Sequence, residues 1–237
     1  MKYTLLLGDS WGCGEWAGNT ITHPGITKYH NNIINLSLGG NSNFNICRQL
    51  KEFLSSNIIE IDKIFIVQTE YDRDYVTRHT LAPCTWFEEV NNHTNINHLE
   101  IALLTKFYSM LSDIAVNFDI KIHLIGGCSD ILSIDDFERD FTNVDVACHS
   151  WVNLIMYNTP YVNWGDEVYS WYTTGTHEFI PMLKKNNYDT NTLIANISKG
   201  ENRQSMLGNN PAYFPENHPN RKGHEVLFDY LKDNSYL

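Results

Sequence analysis

Tyr3-Thr4-Leu5-Leu6-Leu7-Gly8-Asp9-Ser10-Trp11 is the stretch that decides the fold. A short apolar run stopped by Gly8-Asp9-Ser10 reads as a buried first strand opening into a loop. The same grammar repeats downstream. Residues 33–38 form a second apolar stretch ended by Gly39-Gly40, and residues 44–54 place Ile46, Cys47, Leu50, Phe53 and Leu54 at helical spacing. Residues 63–67 predict another strand. A long helix is expected over 96–118, with Leu99, Leu103, Phe107, Met110, Leu111 and Ile114 on one face, followed by a strand over 120–125 closed by Gly126-Gly127. Further on, a helix is expected over 145–156 and a terminal amphipathic helix over 223–231. Strands that read as continuous apolar runs, alternating with amphipathic helices, indicate a parallel sheet covered on both faces. The expected class is α/β, a three-layer α/β/α sandwich.

The chain has 237 residues, 42% of them apolar and 19% charged, which is enough for a core without disulfides or metal and suits one domain over 1–237. Periodicity weakens over about 129–214, so this part reads as an irregular insertion. Its Trp164 and Trp171 suit a lid or a carbohydrate platform, or simply the core of that insertion. A net charge of −11 and the lack of a basic cluster argue against a nucleic-acid partner. Cys13, Cys47, Cys84, Cys128 and Cys148 are odd in number and hold no C-x-x-C pair, so neither a disulfide framework nor a zinc ribbon is expected. The apolar run after Met1 is too short for a signal-peptide core or a membrane span. A cytosolic protein is expected, unless it leaves the cell as part of a larger particle.

A serine at the C-terminal end of a parallel strand faces the crevice in which α/β folds bind ligands. Taken alone, Gly8-Asp9-Ser10 also fits a turn whose Asp and Ser cap the following helix. It is not alone. Near the other end lies Glu216-Asn217-His218-Pro219-Asn220-Arg221-Lys222-Gly223-His224, with a histidine on a loop before the last helix. A serine hydroxyl is a weak nucleophile at neutral pH and needs a base within reach; imidazole has a suitable pKa. Ser10 and His218 are the candidates for these roles.

Gly8-Asp9-Ser10, Asn35-Leu36-Ser37-Leu38-Gly39-Gly40, and His218-Pro219-Asn220 with Gly223-His224 resemble, in order, three blocks of the SGNH (GDSL-type) hydrolases. The resemblance spans residues 3 to about 230, concentrated in these short segments. It implies a flavodoxin-like fold and acyl transfer without metal or cofactor. In that scheme Ser10 attacks an ester carbonyl, His218 shuttles the proton, and the backbone N–H groups of Ser10 and Gly40 hold the oxyanion.

The chain departs from the family pattern twice. Where a Gly-x-Asn block is expected, it reads Val67-Gln68-Thr69-Glu70-Tyr71-Asp72-Arg73, so Glu70 stands in the place of an amide donor worth about 3 kcal/mol. Asn43, Gln68 or Arg73 are candidate replacements, and Arg73 could also neutralise Glu70 or Asp72. Thr69 with Arg73 resembles a phage-associated branch of the class. The triad acid is expected three residues before the histidine, where this chain has Pro215; Glu216 is the candidate in its stead, with a two-residue Ser-His site as the fallback.

Other patterns carry less. His93, His98 and Glu100 lack the spacing that puts three zinc ligands on one face, and Gly12-x-Gly14 lacks the rest of a phosphate-loop fingerprint. Two functions remain: a serine esterase acting on a small-molecule or carbohydrate ester, possessing no cofactor and no membrane partner, or an SGNH-fold protein that binds a glycan without hydrolysis, such as a virion component.

Overall fold

In the computed structural model the described residues are 2–17, 20–28, 32–56, 59–69, 96–127, 130–132, 137–158, 160, 213 and 218–237. Their elements, in chain order, are β1 (Tyr3–Leu7), α1 (Ser10–Cys13), β2 (Glu15–Ala17), β3 (Thr20–His23), a 3₁₀ turn (Gly25–Lys28), β4 (Ile33–Asn35), α2 (Asn43–Ser55), β5 (Ile61–Gln68), α3 (Ile96–Asn117), β6 (Ile122–Gly126), α4 (Phe137–Asp140), β7 (Val144–Cys148), α5 (Trp151–Tyr157) and α6 (Arg221–Asp233). They group into two compact units, Met1–Cys13 with His30–Trp151, and Gly14–Tyr29 with Val152–Leu237.

The first unit is built on a five-stranded sheet in the order β4-β1-β5-β6-β7, with every neighbouring pair parallel. This is the flavodoxin-like order, so the chain is an α/β protein with a central parallel sheet. Leu5, Leu6 and Leu7 of β1 and Ile64, Phe65, Ile66 and Val67 of β5 are buried because helices and loops cover both faces, which is why these strands read as unbroken apolar runs. The right-handed crossover rule places α2, α3 and α4 on one face of this sheet. Consistent with this, α2 packs against α3.

Helix α2 starts where Ser42 accepts a hydrogen bond from Asn45 N (3.3 Å) and buries Ile46, Cys47 and Leu50. On α3 the buried stripe is Leu104, Phe107, Tyr108, Leu111, Ile114 and Ala115. Leu103 and Met110, expected on that stripe, are only half-buried beside it.

One expectation is overturned. The helix expected over 145–156 is two elements: residues 144–148 are a buried strand, β7, and the helix begins only at Trp151. Val144, Ala147 and Cys148 are buried in the core as the strand pairs with β6, and Asp145 stands opposite His123, a buried partner supplied by that neighbouring strand. Such a cross-strand pair stabilises a strand and is invisible to local periodicity.

In the second unit β2 and β3 form an antiparallel hairpin, with Trp16 opposite Ile21, in a region whose sequence suggested only loop. Helix α6 packs on β2 and the 3₁₀ turn, burying Gly223, His224, Leu227 and Leu231 along one face. Gly25 sits at φ 64°, and a Cβ there would come within 2.7 Å of the His224 ring, so both backbone shape and space require glycine.

Among the described residues no helix is long and apolar enough to cross a membrane, and no three His, Cys, Asp or Glu side chains gather as metal ligands.

Candidate active site

Ser10 opens α1 directly after β1 and is 6% exposed. The connection from β1 leads toward β4 and that from β5 toward β6, so the C-terminal ends of β1 and β5 frame the switch point at which such sheets bind ligands.

The turn carrying Ser10 is held by the preceding residue. Asp9 is fully buried; its Oδ1 accepts from Trp11 N (2.9 Å), its Oδ2 accepts from Thr69 Oγ1 (2.9 Å), and its backbone oxygen accepts from Gly12 N (3.1 Å). A buried carboxylate with donors on both oxygens fixes the loop around it. Close packing does the rest. A Cβ on Gly8 would lie 2.8 Å from Val67 Cβ, and one on Gly12 would reach 3.0 Å from Ser37 Cβ. The Trp11 indole meets Trp151 edge to face at 5.7 Å. Cys13, three residues after Ser10, is no rival nucleophile: burial first, and the charge of Asp9 second, push its thiol up to about 11.

The Asn35–Gly40 segment is laced to this turn. Asn35 Nδ2 donates to Gly12 O (2.8 Å) while its Oδ1 accepts from Ser37 N (2.9 Å). Leu38 N donates to Gly8 O (3.1 Å), and Gln49 Nε2 holds Leu36 O (2.8 Å). Gly40 is exposed, with φ 74° and open space around its α-carbon, a left-handed conformation that suits glycine. Ser10 and Gly40 thus lie on two loops bonded directly to each other.

Asn43 is buried at the start of α2, where its Nδ2 donates to Thr69 O (3.0 Å) and its Oδ1 accepts from Thr69 N (3.1 Å). This reciprocal pair ties α2 to the end of β5 and leaves only the second amide hydrogen for any oxyanion. Gln68 is likewise committed: its Nε2 donates to Asp130 O (2.8 Å) and its Oε1 accepts from Tyr108 Oη (2.7 Å). Glu70, Arg73, Pro215 and Glu216 lie outside the described residues.

His218 belongs to the second unit, where it is half-buried and stacks on Trp16 (ring centroids 4.1 Å apart, planes at 26°). The next residues are anchored: Pro219 O accepts from Trp16 N (3.1 Å), Asn220 caps α6 by accepting from Gly223 N (3.2 Å), and Arg221 Nε meets Glu15 Oε2 (3.1 Å). His224 has a different character. It is 1% exposed, its Nε2 lies 2.8 Å from Gly14 O, and burial pulls its pKa down to about 4. A carbonyl partner requires the proton on Nε2, so His224 is a neutral structural donor at neutral pH. Of the two histidines in this block, His218 is the one whose ring remains partly open to solvent.

Thr69 is the contributor that the sequence left without this role. The sequence marks Thr69 only through its spacing to Arg73, whereas its bond to Asp9 joins residues 60 positions apart. Only the parallel pairing of β1 with β5 brings them together.

No protein-family model matches the chain, and no curated protein matches it. Solved structures with a similar course include a proposed acylhydrolase of Bacteroides fragilis (16% identity, TM-score 0.43, 98% of this chain and 86% of that one). Two others are an alpha/beta hydrolase from the metagenome of Lake Arreo, Spain (11%, 0.43, 99% and 95%) and a mutant of a Geobacillus acetyl-xylooligosaccharide esterase (15%, 0.40, 98% and 93%). The fold assignment rests on the strand order rather than on these likenesses.

Proposed function

We propose that the chain is a serine ester hydrolase of the SGNH type, with Ser10 as nucleophile and His218 as general base. The observation that carries this reading is the seating of Ser10 at the end of β1, at the switch point, on a turn locked by Asp9 and Thr69 and bonded to the loop of Gly40. In the reaction, Ser10 Oγ attacks the ester carbonyl carbon as His218 takes its proton, and the N–H groups of Ser10 and Gly40 receive the oxyanion. His218 then protonates the leaving alcohol. Water, deprotonated by His218, attacks the acyl-enzyme, and the carboxylic acid leaves as Ser10 regains its proton. Glu216 is the group proposed to orient His218, and Arg73 to offset the charge of Glu70.

The substrate class we favour is a small O-acyl ester on a carbohydrate; Trp164 and Trp171, the residues whose type suits sugar stacking, lie outside the described residues. The resemblance of the Thr69…Arg73 pattern to a phage-associated branch of the class supports assigning the chain to that branch. The test is reaction of purified protein with a fluorophosphonate probe, with 4-nitrophenyl acetate and with acetylated xylo-oligosaccharides. Labelling at Ser10, with turnover abolished in Ser10→Ala, is expected; absence of both labelling and turnover would overturn the reading.

Glu70, together with the commitment of Asn43 to Thr69, favours a second reading, a glycan-binding protein that does not hydrolyse. That alternative requires glycan binding undiminished in Ser10→Ala and no turnover by the wild type.

A further inference from the structure

Three consecutive residues of the second unit each hold a different part of the segment that carries His218. Gly14 O takes His224 Nε2 (2.8 Å), the buried carboxylate of Glu15 takes Arg221 Nε (3.1 Å), and Trp16 N donates to Pro219 O (3.1 Å) while its ring lies against His218. Residues 218, 219, 221 and 224 are therefore fastened to Gly14-Glu15-Trp16 at four points. We propose that Trp16 is a positioning residue for His218, acting beside the proposed Glu216: its indole face fixes the imidazole plane and favours the protonated ring. The proposal rests on His218 being the base of a serine hydrolase.

The physical case has two parts. A stack at 4.1 Å and 26° leaves the imidazole little freedom to tilt, and the adjacent bond from Trp16 N to Pro219 O holds the backbone on the same side. An indole face also carries negative quadrupole density, so it attracts a cation within about 6 Å more strongly than a neutral ring. The imidazolium forms as His218 takes the proton of Ser10, and the stack stabilises that state. Orientation and imidazolium stabilisation are the two services that a triad carboxylate performs. Position 215, where such a carboxylate is expected, is proline.

The ionisable groups on the described elements packed around the stack are Glu15 on β2, Lys28 on the 3₁₀ turn, and Arg221, Lys222, His224 and Glu225 on α6. Glu15 on β2 and Arg221 on α6 are paired with each other, and His224 stays neutral down to about pH 4. Lys28 on the 3₁₀ turn and Glu225 on α6 are further along their elements, with Glu225 exposed.

The experiment follows the His218 ring by NMR in the Ser10→Ala protein, with its signals assigned by their loss in His218→Asn. In otherwise unaltered protein the His218 ring protons are expected upfield, shifted by the indole ring current. Trp16→Leu is expected to lower the His218 titration midpoint by about half a pH unit, a roughly 3-fold change in proton affinity, and Trp16→Phe to retain most of it. In the active protein Trp16→Leu is expected to move the acid limb of the kcat/KM profile by the same amount, lowering kcat about 3-fold or more at little change in KM. Absence of the upfield shift, or a midpoint indifferent to Trp16→Leu, would overturn the proposal even if Ser10 labels normally. Failure of Ser10 to label, with the midpoint still moving, would instead remove the hydrolase reading and leave the stack's effect on His218 standing.

Discussion

Thr69 donates its hydroxyl to Asp9, 2.9 Å from Oγ1 to Oδ2, and both residues are fully buried. Thr69 also exchanges two hydrogen bonds with Asn43, so the residue after β5 joins the Ser10 turn to the first turn of α2.

Removing the Thr69 hydroxyl should therefore damage the site from beneath. Thr69→Val keeps shape but leaves one oxygen of a buried carboxylate without this donor, at a cost of about 1.5–3 kcal/mol. Thr69→Ser should recover most of the loss. Urea midpoints report the stability, and the fluorophosphonate labelling rate of Ser10 should fall in Thr69→Val and return in Thr69→Ser.

Gly126 ends β6 against the backbone of His149, the residue just after β7. A Cβ there would overlap His149 O and come within 2.9 Å of His149 C, and backbone cannot swing aside as a side-chain tip can. Gly126→Ala is expected to cost about 3 kcal/mol or more, or to give insoluble protein. Gly39→Ala, with open space at its α-carbon, should be nearly neutral by thermal melting.

Stability should weaken on mild acidification. His224 titrates near 6.5 when unfolded but at about 4 when folded, because burial disfavours its charge. The unfolded chain therefore binds more protons between these values, so the contribution is complete above pH 6.5 and is lost as the pH falls toward 4. At full extent it amounts to about 3 kcal/mol. His149, also lowered to about 4 by burial, acts in the same direction. Urea midpoints measured from pH 7 to 4.5 should decline, and His224→Gln, which keeps a donor for Gly14 O, should flatten that decline. An equal slope in the variant would refute the assignment.

The proposed site puts Glu70, by its place in the sequence, where an amide donor to the oxyanion is expected. Replacing a carboxylate that repels an oxyanion with an amide that donates to it should raise kcat, by about 10-fold or more in Glu70→Asn. Unchanged or lower kcat on 4-nitrophenyl acetate would mean that the oxyanion is served by other groups.

The sequence by itself determined the features whose causes are local. Tyr3–Leu7 is a strand because five residues that can all be buried precede a glycine, and Asn43–Ser55 is a helix because Ser42 caps it and its apolar residues recur at helical spacing. The position of Ser10 at the end of β1 follows from the same reading. The tertiary structure decided whatever depends on a partner from elsewhere in the chain. Residues 144–148 became a strand rather than a helix because β6 offers hydrogen bonds and sets His123 opposite Asp145. Thr69 reached Asp9, and Trp16 reached His218, across 60 and 202 positions of sequence. Periodicity records which face of an element is apolar; it holds no record of which distant side chain will meet that face, because only packing of the whole chain selects the partner.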